Sequence, residues 1–238
     1  MKGIILGGGL GKRLQPLTDP LNKHLLPVYN LPMIVHVIKT LTHGGISDIM
    51  LLLNGNHPGL FLEMLEDGSS LECELSYRYT KDVGGPGRTL LLAERWINDE
   101  NFVVILGDSL FFVPLEFCGK SVPHMFIMPL DDFDDPQKYG QVTVNDSCVL
   151  AIRWKPIDSF SNLIQTTCFI LPPDSFSRLR KLDKISAGEV SITSLTQQYI
   201  EEGNVGYTLL PSRSYIDCGT IEALHRASIQ IKDAQNNL

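Results

Sequence analysis

Three cations and a run of glycines are the first residues in this chain that could do chemistry. Leu6-Gly7-Gly8-Gly9-Leu10-Gly11 leads directly into Lys12 and Arg13, and Lys23 follows shortly after. Glycine has no Cβ, so backbone N–H groups in such a run can approach phosphate oxygens closely. The arginine fork matches a phosphate bidentately. The stretch therefore reads as a phosphate-holding loop; a plain glycine turn after a strand is the bland alternative, and the attached cations argue against it. Two familiar phosphate motifs fail on it. A Walker A loop needs glycine where Leu6 stands and Ser or Thr where Arg13 stands. A dinucleotide GxGxxG fails because Gly7-x-Gly9 runs on to Lys12 and Gly9-x-Gly11 to Leu14. An ordinary P-loop ATPase and a Rossmann dehydrogenase are both excluded. Further along, Gly107-Asp108 closes a fully apolar run, where an aspartate either caps a helix or holds a metal.

The elements that must position these residues follow from periodicity. Lys2–Leu6, Asp48–Leu53, Glu74–Arg78 and Phe102–Leu106 read as strands. Between them, the pattern opened by Pro32 (Met33, Ile34, Val37, Ile38, Leu41) and closed by Gly44-Gly45 predicts a helix, as do Pro58–Leu65 and Thr89–Ile97. Strand–helix alternation implies a parallel, doubly wound α/β sheet of Rossmann-like type. Ligands in such sheets sit beyond the carboxyl ends of the strands. Leu6 and Leu106 both end strands, so the Gly7 loop and Asp108 should face one cleft. The second half is richer in short strands: Met125–Pro129, Val142–Val144, Val149–Trp154, Thr166–Leu171 and Tyr207–Leu210. Asp174–Leu182 and Ile192–Glu202 read as helices, and the chain after Ala227 as a polar helix end or frayed tail.

The 238 residues are 43% hydrophobic and 20% charged, ordinary for a globular chain with a sizeable core. The reading is one domain over 1–238: a first half (1–115), a second half (116–228) and a tail (229–238). A formal net charge of -7 argues against a general nucleic-acid surface. No run of about 18 apolar residues suggests a membrane span. The five cysteines are scattered, odd in number and without a CxxC pair. They read as reduced thiols of a cytoplasmic protein, with no support for a zinc site.

The wider stretch around the loop is more specific. Gly7-Gly8-Gly9-Leu10-Gly11-Lys12-Arg13-Leu14-Gln15-Pro16-Leu17-Thr18 continues to Asn22-Lys23-His24-Leu25-Leu26-Pro27-Val28-Tyr29-Asn30-Leu31-Pro32-Met33-Ile34. This resembles the signature of sugar-1-phosphate nucleotidyltransferases, nearest to the short glucose-1-phosphate thymidylyltransferases. Ordered matches follow at Gly84-Gly85, Leu106-Gly107-Asp108, Lys138-Tyr139-Gly140, Lys155-Pro156, Ser161-Asn162, Gly188-Glu189 with Ile192-Thr193, and Ile216-Asp217-Cys218-Gly219-Thr220. The resemblance spans residues 2–228 and implies a doubly wound mixed sheet of the nucleotide-diphospho-sugar transferase type, with a nucleotide-binding half (1–115) and an acceptor-binding half (116–228).

It implies that a phosphate-bearing acceptor attacks the α-phosphorus of an NTP and pyrophosphate leaves. Catalysis is then positioning plus neutralisation of charge on phosphate oxygens. By their places in the motifs, Arg13, Lys23, Asp108 and Lys155 are the expected catalytic residues. Asp108 and Asp217 would hold Mg²⁺, the implied cofactor, which needs only one or two carboxylates beside phosphate and water. Leu6, Gly7, Gly8, Gly9, Gly11, Lys12, Arg13, His24, Gly84, Gly85 and Arg88 are expected around the nucleotide. Tyr139, Gly140, Trp154, Lys155, Thr166 and Thr167 are expected around the acceptor.

The chain departs from the family pattern at several of these positions. Lys12 stands for a usual threonine, and Arg88 for a base-contacting glutamine. Trp154 replaces a glutamate before Lys-Pro, Thr167 a glycine, and Ser194 an aspartate. Losing a carboxylate acceptor loosens the grip on a polyol. The expected partners are thus an NTP and a small acceptor bearing a phosphate or phosphonate, sugar or not. Neither nucleic acid nor membrane is expected, and a homo-oligomer is so by analogy only. The competing reading is a nucleotide-binding homologue without turnover, serving as a regulatory or partner subunit.

Overall fold

Alternation along one strand shows how the sheet is covered. In β1 (Lys2–Gly7), Ile5 joins one hydrophobic core while Ile4 and Leu6 join another. In β6 (Phe102–Leu106), Val103 and Ile105 take the first side, Phe102 and Val104 the second. Both strands are apolar on two faces, so helices must cover both.

The computed structural model describes residues 1–81, 84–130 and 135–236. Its other strands are β2 (Pro27–Val28), β3 (Leu31–Pro32), β4 (Asp48–Leu53), β5 (Glu74–Tyr79), β7 (Ser109–Phe111), β8 (His124–Pro129), β9 (Gly140–Val144), β10 (Val149–Trp154), β11 (Leu163–Leu171), β12 (Gly206–Leu209) and β13 (Tyr215–Asp217). The helices are α1 (Met33–His43), α2 (Pro58–Leu65), α3 (Pro86–Leu90), α4 (Glu94–Ile97), α5 (Ser175–Ile185), α6 (Ile192–Glu201) and α7 (Ile221–Asn236).

The nine-stranded sheet runs β10-β9-β11-β6-β1-β4-β5, with β8 and β12 branching from β11. Strands β6, β1, β4 and β5 are mutually parallel, as strand–helix alternation in the first half predicts. Strand β11 runs antiparallel to β6, β8 and β9, so the whole is a mixed sheet. Helix α1 buries Ile34, Val37, Ile38 and Leu41, an i, i+3, i+4, i+7 stripe, against the first core. Each such side chain contributes roughly 1.5–3 kcal/mol by leaving water. Helices α3 to α6 cover the second core through Leu90, Ile97, Phe176, Leu179, Leu195 and Tyr199.

Three local readings change. The helix expected over Thr89–Ile97 is broken into α3, a 3-10 turn at Leu91–Ala93, and α4. The chain after Ala227 is not frayed: α7 runs on to Asn236, anchored by Ala223, Ala227 and Ile231 in a third core with Val28, Met33, Leu110 and Ile216. Residues 237 and 238 of the expected tail lie outside the described residues. Third, β7 and β13 pair as a separate two-stranded ribbon, which periodicity did not reveal because each strand has only three residues.

Candidate active site

Strands β1, β4 and β6 end side by side, and their carboxyl ends open onto a cleft of about 420 Å³. Leu6, Gly8, Gly9, Leu10, Gly11, Lys12, Lys23, Asn54, Gly85, Pro86, Thr89, Leu106, Asp108 and Glu189 line it. The glycine loop and Asp108 therefore share one cleft, as the strand ends require.

The loop's shape explains two of its glycines. Gly11 has φ +61°, and a Cβ there would lie 2.8 Å from Thr18 Cγ2. A Cβ on Gly8 would come within 2.4 Å of Asn54 Oδ1. That oxygen is already engaged, accepting from the Gly9 N–H at 2.7 Å. Asn54 thus props the loop from the end of β4. Thr18 donates to the Gly11 carbonyl at 3.0 Å and fixes the return of the loop.

Beneath the loop, Lys23 Nζ donates to Asp108 Oδ2 at 2.5 Å. Both side chains are largely buried, at 15% and 9% exposure. Asp217 is brought to the same place by the ribbon. Its register partner in β7 is Ser109, and the Cys218 N–H donates to the Asp108 carbonyl at 2.8 Å. Asp217 Oδ1 in turn accepts from the Gly219 N–H at 2.8 Å. Arg13 lies alongside: a Cβ on Gly219 would meet its guanidinium at 2.6 Å and Asp217 Oδ1 at 2.8 Å. Burial opposes the charge on Asp108, but the charge and hydrogen bond of Lys23, together with His24 and a backbone hydrogen bond, hold the carboxyl below its usual range. For Asp217, burial and then the Asp108 charge push the carboxyl up, against Lys23, the Gly219 N–H and Arg13. Two carboxylates sharing one lysine form an electron-rich site suited to a hard cation.

The remaining residues divide. Gly7 ends β1, with Leu53 packed on its α-carbon. Gly85 lines the cleft, but Arg88 turns away from it. Its Nε donates to Asp183 of α5 at 2.7 Å, and its guanidinium covers Gly84. His24 does not reach the cleft either. It is fully buried, with Nδ1 2.8 Å from Asn22 Oδ1 and its ring packed on the α-carbon of Gly107. Burial, then the Lys23 charge, lowers its pKa to about 3, so it is a neutral strut under the loop. Arg88 and His24, both expected around the nucleotide, are thus not among the residues that line the cleft.

On the other side, Trp154 pairs with Gly140, and the Lys155 N–H donates to the Tyr139 carbonyl at 3.1 Å. The Lys155 ammonium sits 5.0 Å from the Trp154 ring centroid, and that ring is 58% exposed. Thr166 is buried and donates to the Phe126 carbonyl at 2.8 Å. Thr167 Oγ1 is bonded to Ser109 Oγ and lies 3.2 Å from the Tyr215 hydroxyl. Thr167 therefore joins the carboxylate side, whereas Tyr139, Gly140, Trp154 and Lys155 form a separate cluster.

Sequence reasoning missed Asn54, Thr89 and Glu189 as cleft residues. Asn54 follows the carboxyl end of an apolar strand, a position that could have singled it out. Glu189 stands in a quoted motif but carried no spacing that pointed to the cleft.

A family model described as nucleotidyl transferase matches residues 2–234. Glucose-1-phosphate thymidylyltransferase of Neisseria meningitidis is 29% identical over 242 residues, covering 99% of this chain and 84% of that protein. The enzyme of the same name from Mycobacterium tuberculosis is 30% identical over 232 residues, covering 94% and 80%. Among solved structures, a Bacillus anthracis chain assigned as a glucose-1-phosphate thymidylyltransferase, in complex with sucrose, superposes with a TM-score of 0.88. It is 30% identical and covers 98% of this chain and 96% of its own. The inositol-1-phosphate CTP transferase of T. maritima, at 21% identity, shares the fold with a TM-score of 0.81.

Proposed function

Because the chain belongs to the nucleotidyl transferase family, we propose that it moves a nucleotidyl group from an NTP to a small phosphate- or phosphonate-bearing acceptor, releasing pyrophosphate with the help of Mg²⁺. The observation that carries this reading is the Lys23–Asp108 pair at the floor of the glycine-lined cleft, with Asp217 beside it. The loop suits a triphosphate, because its backbone and Lys12 face the cleft while Arg13 stands at the carboxylate edge. In-line transfer needs no covalent intermediate on the enzyme, so placement and charge carry the rate.

The donor set fits magnesium. Two carboxylates lie together, and among the described residues no cluster of three His, Cys, Asp or Glu side chains forms a closed cage. Magnesium takes one or two carboxylates and completes its shell with phosphate oxygens and water. When bound, it would neutralise charge developing on the phosphates. Lys23 shares that task from the protein side. Lys155, on the far cluster, is the cation available to the acceptor's phosphate.

The acceptor is read as altered because an exposed aromatic ring, Trp154, rather than a carboxylate, stands beside Lys155. A pyrophosphate-release screen with four NTPs against sugar 1-phosphates, alcohol phosphates and phosphonates tests the reading. Release with at least one pair is expected. Nucleotide binding without release for every pair would favour a regulatory homologue instead.

A further inference from the structure

One strand edge on the acceptor side changes partner midway. Strand β11 pairs through Leu163 and Ile164 with β9, and through Cys168 to Leu171 with β6. Residues 165–167 fall between the two, where that edge has no strand partner among the described residues. The register against β8 also shifts here, between Gln165 and Phe169. The sheet is therefore open at Gln165, Thr166 and Thr167. Thr167 ties one end of the opening to Ser109 and Tyr215, beside the two carboxylates. At the other end lie Gly140 and its partner Trp154.

Gln165 sits in this opening and is 5% exposed. Its Nε2 donates to Thr193 Oγ1 at 2.9 Å, which holds that end of the amide. Its Oε1 is buried and has no hydrogen-bond partner among the described residues. The side chain packs directly on Gly140: a Cβ there would lie 2.6 Å from Nε2 and 3.0 Å from Cδ. Buried amide oxygens are almost always paired, and an orphan is costly. A polar side chain held by one atom, with the other left without a donor, is arranged to receive one.

We propose that Gln165 reads the acceptor: its amide oxygen takes a hydrogen bond from a hydroxyl or ammonium group that the phosphate-bearing acceptor carries, beside the Trp154 ring. This rests on the transfer reading above and narrows its acceptor to one with a donor group. The geometry divides recognition between three neighbours. Lys155 meets the phosphate, Trp154 offers an apolar face, and Gln165 supplies the acceptor-only contact that the family's missing carboxylate would otherwise give.

Calorimetric titration of glucose 1-phosphate, 2-aminoethyl phosphate and methyl phosphate into wild type, Gln165→Leu and Gln165→Glu tests the proposal. Pyrophosphate release is followed on the same preparations, and thermal melting checks that each variant folds. Wild type should bind one of the two donor-bearing probes. Gln165→Leu should weaken that binding about tenfold, while Gln165→Glu, which still accepts, should hold it within a few-fold. Methyl phosphate, without a donor beyond its phosphate, should be indifferent to both substitutions. Failure of both donor-bearing probes to bind wild type would overturn the proposal. So would an equal loss for methyl phosphate in Gln165→Leu, which marks a purely structural role. Release by wild type that is insensitive to Gln165 sinks this inference alone. Absent release with probe binding still sensitive to Gln165 sinks only the transfer reading.

Discussion

Asp217 stands directly across a two-stranded ribbon from Ser109, the residue after Asp108. The ribbon, with the Cys218 N–H on the Asp108 carbonyl, sets two carboxylates from distant parts of the chain at fixed spacing. Lys23 reaches the same point from below. Removing Asp108's charge should therefore stop the chemistry and spare the fold. Asp108→Asn is expected to lower pyrophosphate release by about 10²-fold or more, with circular dichroism unchanged. Retained turnover would sink the assignment of Asp108 to the metal.

Lys23 offsets two buried acids at once. Lys23→Met leaves them facing each other, and stripping one partner from a buried pair costs about 3–5 kcal/mol. The variant should melt well below wild type in EDTA. Added Mg²⁺ should recover more of the loss in the variant than it adds to wild type, because a cation bound to the folded state stabilises by mass action. Equal Mg²⁺ shifts in both proteins would contradict a shared site.

Asn54 is the side chain that holds the loop through the Gly9 N–H. A single such bond contributes about 1 kcal/mol. Asn54→Ala should raise the KM for the NTP roughly five- to tenfold with kcat little changed. A fall in kcat with KM intact would place Asn54 in the chemistry instead.

His124 is buried between Ser121 and Thr208, and burial, then the charge of Lys120, lowers its pKa to about 4. Its unfolded value is about 6.5. Between these values the unfolded chain binds a proton that the folded one does not, so stability falls as pH drops from 6.5 towards 4. At pH 5 this one group should cost about 1–2 kcal/mol relative to pH 7.5. Urea unfolding at both pH values checks it, and His124→Asn should flatten the difference. An unchanged slope would mean that other groups carry the acid sensitivity.

The fold of the first half was legible because β1, β4 and β6 are apolar on both faces and α1 carries a clear stripe. Asp108 was legible because it closes such a strand, and Lys23 through the motif. What periodicity could not convey was direction of side chains. Arg88 occupies an informative position, yet Asp183 on α5 draws it off the cleft, and nothing local in the sequence shows that pairing. His24 was expected around the nucleotide because it follows Lys23; in the 3-10 turn Lys23–Leu25 the lysine turns to Asp108 while the histidine turns inward. Helix α7 was underread because its buried stripe is small, Ala223, Ala227 and Ile231. Gln165 was passed over because a glutamine in a strand has no local signature; its orphaned oxygen exists only in the fold.

The ribbon that pairs β7 with β13 also sets an order of events. The glycine loop, Lys23 and Asp108 all come from the first half of the chain, whereas Asp217 comes from β13, close to α7. Contacts between such remote segments form late, since a long loop must close before they are rewarded. The glycine loop, Lys23 and Asp108 would thus come together before Asp217 takes its place beside them. The second carboxylate then arrives with the last strand, so the pairing of β13 with β7, outside the main sheet, is the step that completes the proposed transfer site.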